Sequence, residues 1–158
     1  IYGRQEEHVF AKLLNDWGMA YNTAVICVES NRRPVISNLL GMGYPNNRLY
    51  NTPKPADIHV QPAQNVGRQI EWGWNTNTKT RPILLDDFRK MLQAYAMKPR
   101  DPDFYREAYN FLSGGKPQAA PGQHEDRVFA HALANKAREF WRGQSQARSA
   151  PFSLVRLG

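Results

Sequence analysis

Thr23-Ala24-Val25-Ile26-Cys27-Val28-Glu29-Ser30-Asn31 is the stretch on which the fold turns. Small and apolar residues run unbroken into one carboxylate, with no alternation of polar and apolar positions. A segment of this kind is covered on both faces, the pattern of a central strand in an α/β sheet. Glu29 then stands at the carboxyl end of that strand, where open α/β sheets place their ligand crevices. A carboxylate in that position is either a structural cap or a catalytic ligand. Asn31 and Pro34 mark a turn, and Val35 to Met42 reads as a short helix.

Upstream, Val9, Phe10, Leu13, Leu14 and Trp17 recur at helical spacing, which predicts an amphipathic helix from about Arg4 to Trp17, ended by Gly18. A helix feeding directly into a buried strand is an α/β signal. Downstream, a turn at residues 43–47 precedes a short strand, Arg48-Leu49-Tyr50. Residues 51–80 are rich in Asn, Thr, Pro and Gly, with Ile58-His59-Val60 as a candidate strand in a long irregular excursion.

Three helices are expected after that. The first begins near Pro82, with Thr80 as its cap and Leu84, Leu85, Phe88, Met91, Leu92 and Tyr95 inward. The second opens on Asp101-Pro102-Asp103 and turns Phe104, Tyr105, Ala108, Tyr109 and Leu112 to the core. A turn at 113–117 and an extended piece at 118–120 lead to the third, His124 to Arg142, with Val128, Phe129, Ala132, Leu133, Ala137 and Phe140 inward. Residues 143–158 read as a flexible tail, with Phe152, Leu154 and Val155 available to dock. No internal repeat is present.

The bulk composition narrows the function classes. With 158 residues, 41% hydrophobic and 11% aromatic, the chain suits one globular domain rather than a disordered segment. The net charge of +7 points to a polyanionic partner, most simply nucleic acid, against ordinary solubilising charge. A lone thiol, Cys27, forms no internal disulfide and no multi-cysteine zinc site, and fits a reducing compartment. No apolar run reaches the roughly 20 residues a membrane span needs. The pattern opens in mid-helix at Ile1, without an initiator Met or signal peptide, so a fragment is expected.

A second acidic cluster lies in Gly122-Gln123-His124-Glu125-Asp126-Arg127-Val128. Glu125 and Asp126 flank the buried side of their helix one turn ahead of it. They either meet the helix dipole or aim back toward the sheet. Arg127, His131, Arg138 and Arg142 form a stripe opposite, a phosphate-tracking ridge or a solvated face. A carboxylate ending a strand together with an acidic pair opening a late helix is the ligand pattern of a two-metal phosphodiesterase. In such a site hard ions, Mg²⁺ or Mn²⁺, are held by oxygens from separate elements.

Three stretches in register carry a resemblance. Val25 to Asn31 is similar to a strand ending in an acid before Asn. Gly73-Trp74-Asn75-Thr76-Asn77-Thr78-Lys79-Thr80-Arg81-Pro82 is similar to a Gly-Trp-x-Thr-Asn segment leading into a helix. Gly122 to Val128 resembles a Gly-x-His-Asp-Asp turn with Glu in place of the first Asp. From about residue 5 to 142 the chain resembles the nuclease domain of the large terminase subunit of tailed bacteriophages, which has an RNase H-like fold. The resemblance implies an α/β domain with a central mixed sheet flanked by helices. It also implies Mg²⁺- or Mn²⁺-dependent endonucleolytic cleavage of concatemeric double-stranded DNA during packaging in the host cytoplasm.

The partners implied are double-stranded DNA, an amino-terminal ATPase motor domain, the terminase small subunit and the portal. Glu29 matches the family's second acidic position, and Asp126, with Glu125 beside it, the third. These three are the implied metal and catalytic residues. The first acidic position lies on an amino-terminal strand that nothing in residues 1–22 matches, so one ligand and part of the sheet are expected to be missing, leaving the isolated chain inactive. Trp72 and Trp74 either pack or stack on bases, His124 packs or caps, and Lys79, Arg81 and Arg127 are the candidate phosphate contacts. Two rival readings are another nuclease or transposase-type member of the fold, and a non-catalytic nucleic-acid or capsid-interaction module.

Overall fold

The structure is a computed structural model describing residues 5–53, 70–112, 121 and 124–149. Helix α1 (Glu7–Ala20) leads into an extended stretch, 24–30, followed by α2 (Arg33–Gly41) and a 3₁₀ turn at Asn46–Arg48. Strands β1 (Asn51–Pro53) and β2 (Ile70–Trp72) pair antiparallel, with Asn51 opposite Trp72. Three helices complete the order: α3 (Thr80–Gln93), α4 (Pro102–Leu112) and α5 (Asp126–Ser149). The class is therefore a helix-rich mixture of helices with a small two-stranded antiparallel sheet.

Residues 23–31 do not form the regular central strand that their composition suggests. They run extended, with one parallel bridge from Ile26 to Leu49 and another from Glu29 to Trp74. Backbone N–H groups of Ile26 and Tyr50 donate to Arg48 and Ile26 carbonyls at 2.8 Å each. Trp74 and Ser30 donate to Val28 and Trp74 carbonyls at 2.8 and 2.9 Å. Only Val28 is fully buried, while Val25, Ile26 and Cys27 keep part of their surface exposed. Non-alternation here reflects a ribbon that different partners flank in turn, not a strand covered on both faces.

This ribbon separates two hydrophobic clusters. On one side Ala11 of α1, Val35, Ile36 and Leu39 of α2, and Val28, Tyr44 and Leu49 pack together, with Trp72 against them. On the other, Leu84, Leu85 and Phe88 of α3 meet Phe104, Ala108 and Phe111 of α4 and Val128 and Ala132 of α5, with Trp74 against them. Both tryptophans are therefore packing residues, one serving each cluster.

Several helix faces are turned relative to the sequence expectation. In α1 the buried positions are Ala11 and Gly18, whereas Val9 and Trp17 are exposed. Gly18 does not end the helix. The Tyr44 ring lies where a Gly18 side chain would stand, its Cε2 and Cζ each 2.8 Å from an ideal Cβ, so α1 continues to Ala20 across a packing glycine. The Tyr44 hydroxyl donates to the Ala24 carbonyl. In α4 the stripe Phe104, Ala108 and Phe111 is buried, which leaves Tyr105 and Tyr109 outside.

Helix α3 begins two residues before Pro82, and Asn77 rather than Thr80 caps it, its Oδ1 accepting the N–H of Lys79 and Thr80 at 2.9 and 3.0 Å. Asp101 Oδ1 accepts the Asp103 N–H at 3.0 Å, the capping expected at the start of α4. Helix α5 runs to Ser149, seven residues past the expected end. Gln144, Gln146, Ala147 and Arg148 are all sound helix formers. The readings at 58–60, 118–120 and 152–155 lie outside the described residues.

Candidate functional site

The ribbon has a direction relative to α5. Ile26 sits beside Tyr50, whose ring lies 5.3 Å from Phe140. Three residues on, Glu29 pairs with Trp74, whose indole stands 6.0 Å from Tyr50 and lies under the Lys136 ammonium at 5.3 Å. The chain then continues through Asn75–Lys79 to Arg81. There the guanidinium Nη2 donates to both Glu125 oxygens, at 3.0 and 2.9 Å, and its carbon lies 4.5 Å above the Phe129 ring. From Ile26 to Glu29 the ribbon therefore travels toward the amino-terminal end of α5.

The three motif stretches are linked in sequence by these contacts, 25–31 to 73–82 through backbone hydrogen bonds and 73–82 to 124–128 through one ion pair. The turn between them is held by side chains. The Thr80 hydroxyl donates to the Asn75 carbonyl and accepts the Asn77 N–H at 2.9 Å. Trp74 Nε1 and Thr76 Oγ1 are buried here without a hydrogen-bond partner among the described residues. Buried polar atoms are normally satisfied, so this turn holds unspent donor capacity beside Glu29.

The individual residues are placed as follows. Glu29 is half-buried, and its carbonyl accepts the Arg32 N–H at 3.0 Å, starting the turn into α2. Asp126 is exposed as the first residue of α5, ten residues before Lys136 and so roughly 15 Å from it along the axis. Glu125 is engaged by Arg81, which donates to both of its oxygens. His124 is exposed. Among the described residues no group of three or more His, Cys, Asp or Glu side chains is gathered closely enough to hold a metal ion.

The basic candidates divide. Lys79 is exposed just ahead of α3. Arg81 is spent on Glu125. Arg127 sits among three acidic residues of the α4 region: Asp101, Asp103 at 3.1 Å and Glu107 at 3.3 Å, with its own backbone N–H donating to Glu107 at 2.9 Å. His131, from the same stripe, packs 4.5 Å from the Phe104 ring and joins the Arg127 carbonyl through Nδ1 at 2.8 Å. That half of the stripe faces α4, neither solvated nor free for phosphate.

Lys136 belongs to none of the three motifs. Only 9% exposed, it donates to Asp87 of α3 at 2.6 Å and to Glu139 at 2.9 Å. Burial pulls its pKa down, and the two carboxylates outweigh that and leave it raised, so the ammonium is held charged. The signal was its position on the inward stripe, between Ala132 or Leu133 and Phe140, where a lysine needs acidic partners.

Cys27 lies near this charge. Burial of the sulfur, followed by the neighbouring Glu29 carboxylate, pushes its pKa up to about 12. At pH 8 the thiolate is then on the order of one part in ten thousand, far too little for nucleophilic work. In native buffer a thiol-specific disulfide reagent is expected to label Cys27 at least a hundredfold more slowly than in denaturant, on the order set by that fraction. Equal rates in the two conditions would contradict the burial.

No protein-family model, curated protein or solved structure matches the chain. Among the described residues no helix is long and apolar enough to cross a membrane.

Proposed function

We propose that the chain is the nuclease domain of an RNase H-like, Mg²⁺- or Mn²⁺-dependent endodeoxyribonuclease of the phage terminase large-subunit kind, acting on double-stranded DNA during genome packaging. What supports the reading is a path of two contacts, the Glu29–Trp74 bridge and the Arg81–Glu125 ion pair, joined by the backbone from Trp74 to Arg81. It joins, in order, the three separate stretches that carry the resemblance, and it sets the acid-bearing end of the ribbon toward the start of α5. The charge of +7 suits a phosphate backbone bound without sequence discrimination.

In this reading Glu29 and Asp126 are the metal ligands this chain provides. Glu125, held by Arg81, is a positioning residue rather than a direct ligand. When bound, such ions supply an activated water and neutralise charge on the leaving oxygen. Two carboxylates do not make a complete two-metal site, so this reading assigns the cutting to a protein in which a further acidic ligand joins them. In that protein, Glu29→Ala is expected to lower Mn²⁺-dependent cutting of linear duplex DNA on the order of a hundredfold or more while sparing DNA binding. Undiminished cutting would sink the assignment.

A second reading is a non-catalytic nucleic-acid or capsid-interaction module. The Glu125–Arg81 pair favours it, because an acid spent on an ion pair at a helix start is a structural acid. Calorimetric titration of Mn²⁺ separates the two readings. A ligand role gives Glu29-dependent heat, and a capping role gives none.

A further inference from the structure

The carboxyl end of α3 and the outer face of α4 enclose an open apolar groove of about 680 Å³. Its floor is Leu92, Met97 and Phe104, and three tyrosines stand around it. Tyr95 is 78% exposed, Tyr105 54% and Tyr109 76%. So many exposed aromatic rings on one apolar depression are more than solubility tolerates without use.

Two of the three tyrosines are anchored, Tyr95 through its backbone and Tyr105 through its hydroxyl. Tyr95 adopts a left-handed backbone, φ +52°, fixed by its N–H donating to the Leu92 carbonyl at 3.0 Å. Tyr105 donates its hydroxyl to the Pro99 carbonyl at 2.8 Å, which sets that ring edge-on to Phe104 at 5.2 Å. A left-handed non-glycine residue is uncommon, and here it presents a large ring to solvent rather than burying it.

The surroundings are cationic. Lys98 lines the groove with its ammonium 5.9 Å from the Tyr95 ring, and Arg100 is exposed two residues on. Neither has an ion-pair partner among the described residues. The nearby acids Asp101 and Asp103 are already engaged by Arg127. Flat aromatic faces beside unpaired cations match a polymer of stacked rings on an anionic backbone.

We propose that this groove binds single-stranded nucleic acid, unpaired bases stacking on Tyr95 and Tyr109 while Lys98 and Arg100 meet the phosphates. It is separate from the site around Glu29. Leu92 lies eleven residues, about 16 Å, along α3 from Arg81. A duplex hides its base faces in its own stack and gains nothing from these rings, so the groove selects melted or single-stranded segments.

The test is fluorescence anisotropy of a labelled oligothymidylate of about twelve nucleotides, a length within the usual single-strand site size. The intact chain is titrated in EDTA, which keeps the readout independent of any metal site. Tyr95→Ala and Tyr109→Ala, both highly exposed, are each expected to weaken binding roughly fivefold or more, and the Phe variants to bind as the parent does. Lys98→Gln is expected to reduce the slope of log affinity against log salt by about 0.7. Parental affinity in both Ala variants would overturn the proposal. So would competition by duplex DNA or polyglutamate as effective as that of unlabelled single strand.

Discussion

Gly73→Ala is expected to destabilise the chain by about 4 kcal/mol, lowering its melting temperature by roughly 10 °C at the scaling usual for a domain of this size. Gly73 has φ +81°, a left-handed conformation that costs an L-residue about 1–2 kcal/mol. The added methyl carbon would also stand 2.5 Å from the Val28 carbonyl oxygen and 3.0 Å from the Ser30 nitrogen. Both are backbone atoms, so no rotamer change relieves the clash. The 28–30 segment must move away from Trp74, weakening the two hydrogen bonds, 2.8 and 2.9 Å, that hold Glu29 in place.

Gly43 provides the control. It has nearly the same conformation, φ +80°, but nothing lies within 4 Å of its added methyl. Gly43→Ala therefore isolates the conformational term, about 1 kcal/mol. Thermal melts of the two variants side by side measure the close approach as the difference. Equal losses would mean that the backbone contact at Gly73 has no energetic weight.

Why was that contact invisible in the sequence while most helices were not? A helix writes its partners three and four residues away, so the stripes of α3 and α5 can be read directly, and Leu84, Leu85, Phe88, Val128 and Ala132 fall inside as expected. A paired ribbon has its partners elsewhere in the chain. Residues 24–30 meet Leu49 and Trp74, some 20 and 45 residues away, and their composition says only that they are apolar. Gly18 carries the same lesson. Glycine near a helix end is ordinarily a terminator, and only the position of Tyr44 makes it a packing residue.

The candidate site divides along the same line. That Glu29, Trp74 and Glu125 each stand in a motif could be read from the sequence. That Arg81 and Glu125 would be spent on each other could not, since each read separately as a functional charge 44 residues from its partner. Periodicity also assigned Tyr105 and Tyr109 to the core of α4. The stripe through Phe111, offset by about one position, puts them outside, and the groove they rim exists because of that offset.

Arg127→Leu is expected to destabilise the chain at neutral pH by about 2 kcal/mol, most of it through Glu107. That carboxylate is 12% exposed, while the Arg127 side chain facing it is 21% exposed. The change leaves Asp101 and Glu107 without the guanidinium between them, while Asp103 keeps Arg106 at 3.3 Å. The sign of the pH dependence follows from Asp101. Burial alone would raise its pKa, but the Asp103 N–H and the Arg127 guanidinium hold it below the usual carboxylate value. A depressed folded-state pKa contributes stability that is present above the unfolded value, near 4, and is lost as pH falls through the folded one. Parent and Arg127→Leu should therefore differ most at pH 7 and converge only in acid, once the pH has fallen through the lowered folded-state pKa of Asp101. Urea melts at pH 7 and in acid measure this, and a deficit that stays constant with pH would show that Arg127 acts by packing rather than charge. The same enclosure separates Arg127 from Lys79. A guanidinium already neutralised by carboxylates releases no counterion from DNA, so the salt slope of DNA binding should be unchanged by Arg127→Leu under folding conditions. Lys79 is exposed and precedes α3 at the joint between Trp74 and Arg81. Of the three basic residues singled out for phosphate, it is the one whose charge remains available to a nucleic-acid backbone.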